Sequence, residues 1–198
     1  MAQFDAKQHL NHLIEVRDMI DLNQVTVLTG GNGRGKSFIR KQIMAMCWRD
    51  KINVWTCSMD KRAGLDDSLG AGNVFNRDCE WLPTSVNTLS TIQNFDQTKN
   101  SFGIMDEIEI GMAEESQLGI ALYINKHLEQ YRKNNKGLLI ITHSKYLVST
   151  IQADNFINLE GMTKEEWLNR PIIATDFDQL QADSQALFQE IQSRSKRK

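Results

Sequence analysis

Apolar residues along this chain fall into short continuous runs separated by stretches with helical spacing. Val25-Thr26-Val27-Leu28-Thr29, Ile52 to Cys57 (INVWTC), Phe102 to Met105, Leu138 to Thr142 (LLIIT) and Phe156 to Leu159 are the continuous runs. They lack the in–out alternation of a half-exposed strand, so each predicts a strand buried on both faces. Between them, apolar positions recur at helical intervals. Leu10, Leu13, Ile14 and Ile20 predict a helix over residues 7–20, and Phe38, Ile39, Ile43, Met44 and Cys47 predict one from Ser37 to about Trp48. A short helix is expected from Ser85 to about Phe95, with Ser85 or Thr84 as its N-cap. Ile120, Ile124, Leu128 and Tyr131 predict a longer one from Ser116 to Lys133, and a helical turn follows at Tyr146 to Gln152. Residues 58–83, with Gly64, Gly70 and Gly72, read as loop. Beyond residue 162 a last short strand at Ile172–Thr175 and a polar helix are expected. Strands alternating with helices predict an α/β fold whose mostly parallel sheet is covered by helices on both faces.

The first strand runs directly into Gly30-Gly31-Asn32-Gly33-Arg34-Gly35-Lys36-Ser37, which satisfies G-x-x-x-x-G-K-[ST]. The motif acquires meaning from its place between a buried strand and an amphipathic helix. Glycines let successive backbone N–H groups turn inward and form an anion nest, and the helix start adds its positive end. Lys36 is then the group that reaches the outer phosphates, and the Ser37 hydroxyl completes a Mg²⁺ shell. ATP and Mg²⁺ are the expected ligands, held by residues 30–37.

Hydrolysis needs more than a cradle, and two other strand ends supply candidates. The strand at Phe102–Met105 ends in Asp106-Glu107. Adjacent strand side chains point oppositely, but where the chain turns at a strand end both carboxylates can address one site. Asp106 is the expected metal ligand and Glu107 the expected general base for water. The LLIIT strand ends in His143. Ligands of parallel sheets gather at the carboxyl ends of strands, and a neutral imidazole there can sense the third phosphate. His9, His12 and His127 have no such setting and read as structural.

Composition narrows the picture little. The net charge is −2 over 198 residues, with 40% hydrophobic and 24% charged. This is ordinary for one globular domain and points to neither nucleic acid nor membrane. The sequence has no run of about 20 apolar residues and no signal-peptide core at its N-terminus, so no membrane insertion and a cytoplasmic location are expected. Cys47, Cys57 and Cys79, odd in number and without CxxC spacing, read as reduced, buried thiols. The last residues, Arg194 to Lys198, form a basic end.

These motifs in this order resemble the ABC ATPases, in the branch that includes SMC and MutS. The loop reads G-x-N-G-x-G-K-S with Asn32 in place, the acid pair ends a strand, Thr142-His143-Ser144 resembles a switch-histidine segment, and Asp154 to Gly161 resembles the family's final strand and turn. The likeness covers about residues 25–161, and MDEIEIG (105–111) with Leu89-Ser90-Thr91 resembles MutS more than transporters. It implies an ATPase domain over residues 1–161, with a reduced signature region at 58–100, and residues 162–198 as an extension of the same domain. It also implies an ATP-dependent homodimer in which each subunit offers a signature serine to its partner's γ-phosphate, with Gly111–Glu115 crossing the interface. No LSGGQ-type signature is present. Ser85, at a near-normal distance from Asp106, and Ser90-Thr91 are the two candidates, with Ser85 preferred. No glutamine falls between the second strand and that helix, so the usual Q-loop residue is missing or replaced. The expected function is ATP binding and hydrolysis acting on DNA or a protein partner, in a phage, mobile-element or repair-like setting. A nucleotide-gated interaction module with little turnover is the alternative. A P-loop kinase would want an arginine-rich lid, and a GTPase an N-K-x-D after a strand.

Overall fold

The structure is a computed structural model that describes residues 4–58, 84–98, 101–171 and 174–195. Helix α1 (Ala6–Asp18) comes first, its N-cap Asp5 accepting from the Lys7 and Gln8 amides. Strand β1 (Val25–Thr29), helix α2 (Lys36–Arg49) and strand β2 (Asn53–Ser58) follow. Helix α3 (Thr84–Gln97), strand β3 (Ser101–Asp106), helix α4 (Glu114–Lys133) and strand β4 (Leu138–Ile141) continue the alternation. Helix α5 (Lys145–Thr150), strand β5 (Asn155–Asn158) and helices α6 (Lys164–Asn169) and α7 (Phe177–Ser195) complete the chain.

All pairings in the five-stranded sheet are parallel, in the order β2-β3-β4-β1-β5. Strand β4 therefore lies between β1 and β3, with Val27 opposite Ile140 and Ile104 opposite Leu139. Alternation along the strands sends Val25, Val27, Met105, Leu138 and Ile140 to one face, where Phe95, Ile124, Tyr131 and Trp167 cover them. Leu28, Phe102, Ile104, Leu139 and Ile141 go to the other, under Leu10, Leu13, Ile39 and Ile43. Both faces are dry, which is why these strands read as continuous apolar runs.

The expected elements are present with boundaries shifted by one or two residues, with three exceptions. Helix α3 starts at Thr84, so Ser85 lies inside its first turn rather than ahead of it. The strand expected at Ile172–Thr175 falls partly outside the described residues, and Ala174 and Thr175 belong to no strand. Helix α6, which the apolar pattern did not announce, is fixed by a capping box between Thr163 and Glu166 and by buried Trp167. Of the signature region, α3 is described, and residues 59–83, with Cys79, lie outside the described set. Cys47 and Cys57 are buried, and burial raises the Cys47 pKa to about 11. Among the described residues no helix is long and apolar enough to cross a membrane.

Candidate active site

The loop after β1 sets the centre of the site. Gly35 has φ +96° and precedes α2 without any side-chain cap, so the first amides of that helix have no side chain bonded to them. A Cβ at Gly35 would stand 2.4 Å from the Leu13 side chain of α1. Both the left-handed backbone and this close approach require glycine there. The loop thus presents backbone donors and a helix start, the elements of an anion site. Lys36 is buried beneath it, its Nζ donating to Gly30 O at 3.1 Å and Gly31 O at 3.2 Å. Burial lowers the Lys36 pKa, and Glu107 followed by Asp106 opposes that shift, which places both carboxylates within electrostatic reach of the ammonium. Ser37 is exposed at the start of α2, and Asn32 is exposed in the loop.

Strand β3 brings in the acids by a specific backbone device. Alternation puts Asp106 on the α2 face, where Arg40 pairs with it at 2.8 Å. Burial nonetheless raises the Asp106 pKa above the ordinary carboxylate value, with Arg40 opposing. Glu107 adopts φ +51°, a conformation that L side chains rarely take, while its N–H donates to Ile141 O at 2.8 Å. The ladder to β4 is extended by that bond and the chain turns at once. Both acids then face Lys36 instead of opposite sides of the sheet.

His143 arrives from β4, between β1 and β3. Its Nε2 lies 3.4 Å from Glu107 Oε1, close but not aligned for a hydrogen bond. Burial, helped by Lys36, lowers its pKa, with Glu107 opposing, so the ring is neutral near pH 7. The His143 backbone N–H donates to Glu109 Oε1 at 2.8 Å, and Ser144 Oγ donates to Gln117 Oε1 at 2.5 Å while accepting the Leu147 amide. The segment bearing His143 is thereby tied to the turn after β3 and to α4.

Sequence reasoning missed several of these groups. Arg40 is one helical turn beyond Lys36, so its place above the same strand end was available from spacing. Glu109, two residues past Glu107, holds His143 in place, and its Oε2 is buried without a hydrogen-bond partner among the described residues. Arg170, which no motif marks, stacks on Trp167 at 4.9 Å, lies 3.7 Å from Glu160, and helps to lower the His143 pKa. The Arg34 side chain, in contrast, turns away from the acids. Its Nη1 meets Asp183 of α7 at 3.3 Å and its Nε lies 3.7 Å from Glu160. Only its backbone remains a candidate phosphate donor. Ser85 stands in the first turn of α3, next to Thr84, which lies beside Gly111, so it is placed beyond the acid turn.

The Ser37 hydroxyl and the Asp106 carboxylate are hard oxygens of the kind Mg²⁺ takes, although Asp106 is paired with Arg40 and among the described residues no group of three or more His, Cys, Asp or Glu is gathered for a metal ion. Ser37 and Asp106 are the residues that would hold it.

The fold is an all-parallel five-stranded α/β sheet covered on both faces, with a G-x-x-x-x-G-K-S loop between β1 and α2. No protein-family model matches the sequence, and no curated protein matches it either. Among solved structures, that of Pif1 helicase from Candida albicans is similar at 16% identity over 80% of this chain and 40% of that one, with a TM-score of 0.44. A structure of C. elegans PCH-2 is similar at 14% identity over 77% of this chain and 42% of that one, with a TM-score of 0.32. This chain spans about two fifths of the length of each.

Proposed function

We propose that this chain binds ATP with Mg²⁺ in the loop of residues 30–37 and hydrolyses it, in the manner of an ABC-type ATPase that closes as a homodimer. The observation that carries the reading is the gathering of the Lys36 ammonium, the Glu107 carboxylate and the His143 imidazole at one mouth of the sheet. The loop amides and Lys36 hold the outer phosphates, exchanging the Gly30 and Gly31 carbonyls for phosphate oxygens around the ammonium. Mg²⁺, when bound at Ser37 and Asp106, supplies charge neutralisation for the phosphates. Glu107 accepts a proton from the attacking water, whose oxygen bonds to the γ-phosphorus as the bond to the bridging oxygen breaks, releasing ADP and phosphate. Neutral His143 can donate a hydrogen bond to the γ-phosphate while Glu109 keeps its backbone in place.

The dimer and its effector rest on the motifs and on one surface feature. Ile110 immediately precedes the loop that the ABC resemblance assigns to the interface, and Leu118 and Leu122, four residues apart on α4, follow it; they are 39, 41 and 55% exposed. Exposed apolar side chains flanking that loop favour a covered face. The effector is DNA or a protein, and Ser85 is the residue offered to the partner's nucleotide. A gated module with little turnover is the second reading, and the neutral His143 beside Glu107 favours hydrolysis over it.

Equilibrium ATP binding tests the core of this reading. Lys36→Ala removes a charge-assisted contact and is expected to weaken binding about tenfold or more. Unchanged affinity in that variant overturns the proposal.

A further inference from the structure

We propose that Arg40 is a built-in competitor of Mg²⁺: its guanidinium holds the Asp106 carboxylate in the empty site, and the metal enters with the nucleotide by taking that carboxylate from it. This rests on the nucleotide-binding reading above and adds a residue that sets how strongly ATP binding depends on the metal.

Helical spacing places the competitor. Lys36, Ser37 and Arg40 share one side of the first turns of α2, Arg40 lying four residues after Lys36 and three after Ser37. One helix face thus offers the ammonium for phosphate, the hydroxyl for the metal and a second cation. Strand β3 ends against this face, and Arg40 Nη1 lies 2.8 Å from Asp106 Oδ2. Only 24 and 17% of the two side chains is exposed, so the pair is screened less than a surface one.

The contact has the form of one that can be exchanged. It uses a single guanidinium nitrogen instead of the two-toothed fork that fixes an arginine most firmly on a carboxylate. Arg40 Nε is buried without a hydrogen-bond partner among the described residues. Charge explains why a cation stands there. Asp106, Glu107 and Glu109 are within electrostatic reach of one another, with Arg40 and Lys36 the cations beside them. Withdrawing Arg40 leaves a half-buried carboxylate among like charges, which is costly unless another cation replaces it. Mg²⁺ takes hard oxygen ligands and can supply that replacement when it arrives with the nucleotide. Metal-free ATP cannot, so the pair stays closed under it and keeps Asp106 from repelling the phosphates. Arg40 therefore disfavours Mg-ATP and favours metal-free ATP, relative to a site without it.

Calorimetric titration with ATP, once in Mg²⁺ and once in EDTA, tests the assignment. The quantity read is the affinity in Mg²⁺ divided by the affinity in EDTA. Arg40→Gln is expected to raise this ratio about tenfold, the worth of one contact between charged groups. Arg40→Lys can still make a single charged contact and is expected to keep the wild-type ratio. Asp106→Asn is expected to lower the ratio, and adding Arg40→Gln to it is expected to change the ratio no further. A ratio unchanged in Arg40→Gln, the result of a purely structural role, overturns the assignment. An equal rise in the Asp106→Asn background also overturns it, because Arg40 then acts on the phosphates and not through Asp106. A further measurement needs no variant to fold. Mn²⁺, followed by electron paramagnetic resonance, is expected to stay free in the presence of nucleotide-free wild type, and Mn²⁺ bound there without ATP contradicts the proposal. Wild type that binds ATP in neither medium refutes the nucleotide reading itself, whereas one that binds ATP and fails the ratio test refutes the role of Arg40 alone.

Discussion

Glu107 holds a backbone conformation that costs an L residue roughly 1–2 kcal/mol, with φ at +51°. The strain is spent in the turn that carries both acids to one site, and such outliers collect where geometry serves chemistry. Glu107→Gly is therefore expected to stabilise the fold by about 1 kcal/mol in urea unfolding while eliminating ATP turnover. A loss of stability in that variant would show the left-handed turn to be unstrained. His143 carries a pH dependence of definite sign. Its folded pKa lies below the ordinary 6.5 because of burial. Between that lowered value and 6.5 the unfolded chain binds the extra proton, so stability rises with pH across this window and is lost as the medium is acidified through it. Asp106, whose pKa is raised, acts oppositely, favouring the folded state as acid is added through the carboxylate range. Comparing urea midpoints at pH 7 and pH 5, His143→Gln is expected to lose less stability than wild type.

At the scale of elements, what the sequence made legible were the segments whose own side chains carry the reason for their shape. The runs at Val25–Thr29 and Leu138–Ile141 are buried throughout and were readable as strands. Helix α6 left a local signal, the Thr163…Glu166 capping box, that apolar periodicity could not detect in six residues. Helix α7 was readable as a helix but not in its role, because its contacts join residues far apart in the chain. Leu180 and Ser184 stand against Gly33, and buried Asp183 holds both Arg34 and Gln179. The C-terminal helix therefore braces the tip of the phosphate loop. Removing the Asp183 carboxylate leaves Arg34 with only the more distant Glu160. Asp183→Ala is expected to cost about 1–2 kcal/mol, and to speed hydrogen exchange at the Gly33–Lys36 amides. If exchange there is unchanged, α7 is merely packed nearby and supports nothing.

The molecule as a whole places its chemistry at one rim, and strand order decides which groups meet. The apolar runs imply a parallel sheet but not its order, since any of several crossovers would bury them equally well. Insertion of β4 between β1 and β3 sets His143 between the loop and the acids, a relation that no spacing in the sequence encodes. Exposed Ile110 lies in the turn following the acids, exposed Leu118 and Leu122 lie on α4 beyond it, and Tyr146 joins Glu114 at the start of that helix. If two copies close over their nucleotides at this rim, blocking hydrolysis should accumulate the closed form, because the γ-phosphate that bridges them is never lost. Glu107→Gln, which keeps the shape of the side chain but cannot accept the water proton, is expected to double its sedimenting mass with Mg-ATP and to remain monomeric with Mg-ADP. Adding Leu118→Asp places a charge in the contact, where an unpaired one costs several kcal/mol, and should return the protein to monomer with ATP still bound. A Glu107→Gln protein that binds ATP yet stays monomeric at every concentration would remove the second copy from the mechanism and leave the hydrolytic site of a single chain.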